Sequence, residues 1–220
     1  MRRVLVLRPE PGATATVNRA RERGLDAVAV PLFEVQALAW QAPDTANFDA
    51  LLLTSANAIR FGGGDLARLR GLPVYAVGEP TAEAAREAGF DIAATGDSGV
   101  ERLLDSIQPD VKLLHLCGEH RREPANPRQR IANRPVYRAK ELPHPDLRAA
   151  KSGVALIHSP RAGHRFAGLI DDRGSIAIAA ISEAAAQAVG SGWRIVETAE
   201  TPTDDALLAL AARLCEIADP

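Results

Sequence analysis

The chain lacks the residues that would mark a secreted or membrane-embedded protein. Its 220 residues include only two cysteines, Cys117 and Cys215, too few and too far apart for a disulfide scaffold. Free thiols suit a reducing compartment, so we expect a cytoplasmic protein. No apolar run reaches the roughly 18 residues of a membrane span. The N-terminal MRRVLVLRPE also lacks the long apolar region and small-residue cleavage site of a signal peptide.

The chain also lacks an excess of charge of either sign. It has 26 basic and 28 acidic residues, which gives a net charge of −2. No overall field therefore favours nucleic acid or an anionic membrane, and we expect neither as a partner. An anionic ligand would have to be bound by local groups. The 46% hydrophobic content allows packed cores in one large domain or two small ones.

Apolar runs alternate with helical patterns along the whole chain. Residues 4–7 predict a strand, residues 13–23 a helix closed by Gly24, and residues 26–30 a second strand. Such a βαβ unit favours a parallel sheet with helices on its faces, so the fold class is α/β. Further strands are predicted at 48–54, 72–77, 91–94, 111–116, 154–158, 176–181 and 193–196, and further helices at 56–61, 82–88, 98–107, from 159, 183–189 and 204–217.

Two stretches share one design, a buried strand that leads into a serine. In LLLTSANAIRF, Ser55 is placed to cap a helix beginning at Ala56. In ALIHSPRAGHRF, Ser159 is the cap and Pro160 takes the first helical position, which suits proline. A helix that starts at the carboxyl end of a parallel strand presents unpaired N–H groups and a positive dipole end. Both stretches therefore predict anion sites.

Ser55 and Ser159 are 104 positions apart, and the same offset aligns the elements that follow them over about fifty residues. The order of elements predicts an internal duplication, although alanine and leucine matches also arise by chance. We predict two similar parallel-sheet domains with the ligand in a cleft between them. Residues 1–34 plus 142–220 form a discontinuous domain, residues 38–134 an inserted one, and linkers lie near 31–37 and 135–141.

Six segments in order carry a resemblance that covers most of the chain. They are RPEPGATATVNRARERGLDAVAVPLFEV, LLLTSANAIRF, VYAVGEPTAEAAREAGF, CGEHRRE, VYRAKELP and AETPTDDALLAL. Together they resemble the uroporphyrinogen-III synthase (HemD) family of haem and tetrapyrrole biosynthesis. The resemblance implies a two-stranded linker, a monomer without a cofactor, and a lyase. Its substrate would be hydroxymethylbilane, a linear tetrapyrrole with many carboxylates, cyclised with loss of water and inversion of the D ring.

The resemblance also suggests site residues. Tyr137, in VYRAKE, matches a family tyrosine and is the catalytic candidate, which would hydrogen-bond the departing hydroxyl and assist without being indispensable. The ordinary alternative is a linker tyrosine packed against a domain. The binding candidates, several of which are also plain caps, turns or surface residues, are Arg8, Thr54, Ser55, Ala56, Gly78, Thr81, Gly118, Arg122, Ser159, Arg161 and Ser182.

A metal site is not favoured, because His115, Cys117 and His120 lie too close in sequence and have no fourth ligand nearby.

Two features depart from the family pattern. The second-domain turn has Ser182, Glu183 and two alanines where hydroxyl residues are usual, and the segment 124–135 predicts a proline-rich loop instead of a helix. A non-catalytic ligand-binding or sensory module with this fold therefore stays open as an alternative. A periplasmic-type binder is disfavoured by the lack of a signal peptide. Since the second-domain turn has changed, the Thr54–Ser55 side is expected to hold substrate more firmly.

Overall fold

The computed structural model describes residues 2–97, 99–121 and 123–216. The candidate Arg122 and the ends of two predicted helices, Ser98 and Ile217, lie outside the described residues. The strands are β1 (Val4–Val6), β2 (Ala27–Ala29), β3 (Phe33–Ala37), β4 (Ala50–Leu53), β5 (Val74–Val77), β6 (Ile92–Gly96), β7 (Lys112–Gly118), β8 (Arg130–Glu141), β9 (Val154–Ile157), β10 (Ala177–Ala180) and β11 (Ile195–Thr198). The helices are α1 (Gly12–Glu22), α2 (Asn57–Phe61), α3 (Glu79–Glu87), α4 (Val100–Asp105), α5 (Pro160–Ala167), α6 (Glu183–Ala188) and α7 (Asp204–Glu216).

The chain divides into two compact units. Unit 1 comprises Met1–Glu34 and Lys140–Pro220, and unit 2 comprises Val35–Ala139. The predicted linkers near 31–37 and 135–141 coincide in sequence with β3 and the second half of β8, which are neighbours in one sheet. Backbone bonds join Leu38 N–H to the Val136 carbonyl (2.9 Å) and Leu142 N–H to the Leu32 carbonyl (3.0 Å).

Unit 1 contains a five-stranded sheet in the order β11-β10-β9-β1-β2. All four neighbouring pairs are parallel, with Val4 opposite Val154 in the central pair. Every residue of β1, β9 and β10 is buried. Strands covered on both faces need apolar side chains throughout, which explains their unbroken apolar runs. The chain order reverses between β1 and β9, so this pair forms the topological switch point of unit 1.

Unit 2 contains a six-stranded sheet in the order β3-β8-β7-β4-β5-β6. The strand β4 lies between β7 and β5 and is parallel to both. Because side chains alternate along a strand, Leu51 and Leu53 join the core on one face and Ala50 and Leu52 the core on the other. The switch point of unit 2 lies between β4 and β7.

The two sheets repeat one spatial pattern. The bounds of β4 shifted by 104 residues are those of β9, and the strands and helices that follow start within one residue of their shifted counterparts. The order β8-β7-β4-β5-β6 thus corresponds to β2-β1-β9-β10-β11. The predicted correspondence of elements therefore holds, with the first two strands of unit 1 matching the last two of unit 2. Unit 1 has α1 between these two strands, whereas the described part of the 119–129 connection in unit 2 has no helix.

The prediction of a loop up to residue 135 was wrong for its last six residues, because β8 already begins at Arg130. Proline in a sheet interior normally removes a ladder hydrogen bond. Here Pro135 is opposite Cys117, immediately before a register shift that puts Tyr137 opposite Gly118. The irregular pairing accommodates the missing N–H, so the strand continues through the proline.

One carboxylate joins four elements of unit 1. Asp204, at the start of α7, accepts hydrogen bonds from Thr16 Oγ1 (3.0 Å) and His158 Nε2 (2.9 Å), and it pairs with Arg19 and, at 3.5 Å, with Arg8. Burial by itself would raise the pKa of Asp204. The hydrogen bond and electrostatic interaction with His158, together with Arg19 and Thr16, nevertheless hold that pKa well below its usual range. The ionised carboxylate therefore ties α7 to α1 and to the ends of β1 and β9.

We expect Asp204→Asn to destabilise unit 1 by about 2–4 kcal/mol. Breaking a buried ion pair costs roughly 3–5 kcal/mol, and the partly exposed arginines reduce that figure. Urea unfolding followed by far-ultraviolet circular dichroism measures the loss. The control is Asp205→Asn, since Asp205 is 73% exposed and its pair with Arg23 lies at the surface, where about 0–1 kcal/mol is expected.

The difference between wild type and Asp204→Asn should depend on pH. A folded-state pKa below the unfolded value of about 3.9 gives stability that is present above that value and lost as the pH falls further. The two unfolding curves should therefore converge in acid. A difference that stays constant from neutral pH into acid would contradict the role of the ionised carboxylate.

Candidate functional site

In unit 2, polar side chains gather where β4 ends. The Ser55 hydroxyl accepts a hydrogen bond from the Asn57 N–H (3.2 Å), and the Ser55 carbonyl accepts one from Ala58 (3.0 Å). The prediction that Ser55 caps a helix beginning at Ala56 was wrong by one residue, because the helix begins at Asn57 and Ala56 is its N-cap residue, with no side-chain cap hydrogen bond. Since α2 has only five residues, little more than one turn, its dipole alone attracts an anion only weakly. The side chains around Ser55 therefore matter more.

Tyr137 lies against the end of β4 and β7. Burial raises the pKa of Tyr137, although the interaction of its hydroxyl with the nearby Ser55 side chain acts in the opposite direction. The ring centroid is 6.4 Å from that of Phe61. Gly118 leaves room for the ring, because a Cβ there would lie 2.9 Å from Cε2 and 3.2 Å from the hydroxyl oxygen of Tyr137. The structure thus brings Ser55, Gly118 and Tyr137 together.

A hydrogen-bond chain reaches Thr54 across the sheet. His115 Nε2 is 3.1 Å from Thr54 Oγ1, and His115 Nδ1 is 2.9 Å from Asn133 Oδ1. His115 is only 2% exposed. Burial lowers its pKa, the Asn133 hydrogen bond opposes this, and the positive charge of Arg121 adds to the lowering. The imidazole is therefore held neutral at neutral pH.

The neighbouring strand β5 leads to Gly78 and Thr81. Gly78 has φ of 82°, a conformation that favours glycine, and it is the N-cap residue of α3. Thr81 is 5% exposed, in the first turn of α3. Since β5 lies beside β4 with parallel direction, Gly78 follows the same edge of the sheet as Ser55. The Gly78 N–H donates to the Gly96 carbonyl (2.7 Å) and the Gly78 carbonyl accepts from Thr81 N–H (3.0 Å), so this turn is held within unit 2.

In unit 1 the two candidate serines are caps. Ser159 Oγ accepts from Ala162 N–H (3.2 Å), as predicted, with Pro160 at the first position of α5. Ser182 Oγ accepts from Ala185 N–H (3.3 Å) at the start of α6. Both helices follow neighbouring parallel strands, so both caps lie along one sheet edge.

The two candidate arginines of unit 1 already have partners. The guanidinium of Arg161 lies over the ring of Phe33, 4.6 Å from its centroid. Arg8 lies close to Asp204, which neutralises part of its charge, and burial lowers the pKa of Arg8. Neither guanidinium is therefore an isolated cation, since each already has a partner in unit 1.

Residues that reasoning from the sequence missed are His115, considered there only as a metal ligand, together with Asn133, Arg121 and Asp204. A lone histidine within the apolar run LLHLC was the available signal for His115, since a buried polar group needs partners. Among the described residues, no group of three or more His, Cys, Asp or Glu side chains is placed to hold a metal ion. No described helix is both long and apolar enough to cross a membrane.

Parallel sheets with hydroxyl, imidazole and glycine residues at their carboxyl edges define a class, the α/β proteins that bind ligands at strand ends. Within that class, the family model described as uroporphyrinogen-III synthase HemD matches residues 14–209. The chain therefore belongs to the uroporphyrinogen-III synthase family, and the predicted resemblance is confirmed.

Known relatives agree with this assignment. A uroporphyrinogen-III synthase of Chlorobaculum parvum is 31% identical over 101 residues, which are 42% of this chain and 41% of that protein. That match spans about two-fifths of the relative's length. The crystal structure of uroporphyrinogen-III synthetase from Helicobacter pylori covers 97% of this chain and 100% of its own, with a TM-score of 0.66 and 20% identity. A mutant synthase from the thermophilic bacterium Thermus thermophilus covers 98% of this chain and 99% of its own, with a TM-score of 0.52 and 17% identity. These two structures confirm the predicted α/β fold.

Gly118→Ala tests the packing of Tyr137. The added methyl group must displace the ring, so the pKa of Tyr137, raised by burial, should fall back toward the ordinary value of about 10. Ultraviolet titration of phenolate in a Tyr75→Phe background, where Tyr137 is the remaining tyrosine, measures the change. Gly71→Ala is the control, because a Cβ at Gly71 meets nothing within 4 Å. An identical Tyr137 titration in both variants would contradict the close approach.

Proposed function

We propose that this chain is a uroporphyrinogen-III synthase, which converts hydroxymethylbilane to uroporphyrinogen III with loss of water and inversion of the D ring. The observation that carries the proposal is the close approach of Tyr137 to Ser55 and Gly118 at the ends of β4 and β7, in a chain that belongs to this family. The reaction needs no cofactor. It needs a proton at the leaving hydroxyl and a bilane held in the conformation that leads to the inverted isomer.

The Tyr137–Ser55 pair can provide that proton. Ser55 Oγ already accepts from Asn57. Each of the two hydroxyls has one proton that can be donated to a ligand. Donation to the bilane hydroxyl lets the hydroxyl depart as water and leaves an azafulvene-like cation. Ring closure later releases a proton from a pyrrole carbon, so the overall change is the loss of one water.

Binding groups for the substrate carboxylates are proposed separately in each unit. In unit 2 they are the backbone around Ala56, Gly78 and Gly118 and the hydroxyl of Ser55. In unit 1 they are the capped starts of α5 and α6 at Ser159 and Ser182, with Arg161 and Arg8 nearby in sequence. Hydrogen bonds from backbone N–H groups suit a ligand with many carboxylates in a protein whose net charge is only −2. Thr81 contributes by holding the turn at Gly78, since its side chain is buried and its N–H donates to the Gly78 carbonyl.

A non-catalytic ligand-binding or sensory module is the alternative. The observation that favours it is Glu183 at the first position of α6, where a negative charge opposes a bound carboxylate. Freshly prepared hydroxymethylbilane separates the two functions when the oxidised products are resolved by chromatography. Excess type III isomer supports the synthase. Saturable binding with only the spontaneous type I isomer would support the module and contradict the synthase.

We also propose that the protein works as a cytoplasmic monomer without nucleic-acid or membrane partners. Both cysteines are free and buried, which suits a reducing compartment. Size-exclusion chromatography with light scattering gives the oligomeric state directly, and a dimer mass would contradict this part of the proposal.

Tyr137→Phe should lower the turnover rate by about 3- to 10-fold, because one hydrogen bond to the leaving group is lost and water replaces it in part. The rate of hydroxymethylbilane consumption above the spontaneous rate measures the effect. The control is Tyr75→Phe, which changes a half-buried tyrosine of the same unit that packs in the opposite core. Equal rates for wild type and Tyr137→Phe would remove Tyr137 from the reaction.

A further inference from the structure

The chain from Asn133 through His115 to Thr54 fixes the position of each proton. The three side chains lie on one face of unit 2, since Leu52, His115 and Asn133 are register partners in β4, β7 and β8 and Thr54 follows two residues after Leu52. The Asn133 oxygen can only accept, so the proton on His115 is at Nδ1. In the neutral ring Nε2 then carries a lone pair.

Thr54 must therefore donate its hydroxyl proton to His115 Nε2, 3.1 Å away. A threonine hydroxyl has one proton and two lone pairs. With the proton directed at His115, the half-buried Thr54 has only lone pairs for a ligand. The next residue behaves in the opposite way, because the Ser55 hydroxyl accepts from the Asn57 N–H and keeps its own proton for donation. Adjacent residues at the end of β4 thus present an acceptor and a donor.

A carboxylate is itself only an acceptor, so it gains no hydrogen bond from Thr54 in this state. We infer that His115 is a positioning residue which makes Thr54 an acceptor for a ligand N–H, and that in a tetrapyrrole this donor is a pyrrole N–H and not a carboxylate. The inference rests on the proposed function and refines it. Thr54 then recognises the pyrrole N–H, and other groups bind the carboxylates.

Two ligands with the same carboxylates and different N–H groups test this assignment. Uroporphyrinogen III has an N–H on every pyrrole ring, whereas in its oxidised form, uroporphyrin III, half of the nitrogens have lost their proton and the rest point into a flat macrocycle. Under anaerobic conditions, Thr54→Val should weaken binding of uroporphyrinogen III by about 3- to 10-fold, the contribution of one hydrogen bond. Its affinity for uroporphyrin III should stay within about twofold of the wild-type affinity. Thr54→Ser keeps the hydroxyl and should bind both ligands like wild type.

His115→Leu tests the positioning role. It removes the acceptor that holds the Thr54 proton, so Thr54 can donate again. The preference for uroporphyrinogen III over uroporphyrin III should then fall, but by less than in Thr54→Val, because the freed proton can bond the carboxylates of either ligand while the lone pairs still accept an N–H. A purely structural histidine would weaken both ligands alike and leave the ratio unchanged, which would overturn its positioning role. Circular dichroism confirms that each variant compared is folded.

Two results would overturn the assignment of Thr54. Equal weakening of both ligands by Thr54→Val would mean that Thr54 binds a carboxylate, and no weakening of either would mean that Thr54 does not contact the tetrapyrrole. Both are distinguishable from failure of the proposed function. If wild type forms type III isomer and Thr54→Val binds normally, only this inference fails. If wild type forms none, the synthase proposal fails and this refinement fails with it.

Discussion

Parallel pairing at the centre of each sheet decides where the functional side chains of this protein can lie. In unit 1 it joins β1 to β9, and in unit 2 it joins β4 to β7. Parallel strands end at the same sheet edge, and at a switch point the connections leave in opposite directions, so the edge stays open. Buried apolar strands fix that register, because a slip would exchange side chains such as Leu51 and Leu52 between two closely packed cores. The polar residues that follow the strands are therefore delivered to one place in each unit.

The two units use equivalent positions differently. At the switch point of unit 1, His158 and Arg8 are bound to Asp204, whose ionised carboxylate also pairs with the arginine of α1. These charges stabilise the packing of α7 and are satisfied within the unit. At the switch point of unit 2 the groups are uncharged. A hydrogen-bond chain from Asn133 through His115 ends at Thr54, and Tyr137 lies beside Ser55. This difference supports the prediction that the Thr54–Ser55 side holds substrate more firmly.

Local signals predicted much of the fold and little of the detailed site. Strand β4, the cap at Ser159 and the offset of 104 follow from nearby residues, because apolar runs and capping side chains act within a few positions. The contact of His115 with Thr54 spans 61 positions and that of His158 with Asp204 spans 46. Such contacts depend on strand order and register, which no local pattern contains. The first six residues of β8 were missed for a related reason, since Pro135 is compatible with a strand only where the pairing with β7 is irregular.

The isomers formed by two matched serine variants test the account most directly. Ser55→Ala and Ser159→Ala each remove a hydroxyl from a helix start, at positions that correspond in the two units. Each serine accepts one backbone N–H, so the stability cost of its loss should be similar for both, about 0.5–2 kcal/mol. When hydroxymethylbilane is supplied, Ser55→Ala should form a smaller fraction of type III isomer than Ser159→Ala, because only Ser55 lies beside Tyr137. Equal fractions, or a larger loss in Ser159→Ala, would contradict the central role of the end of β4.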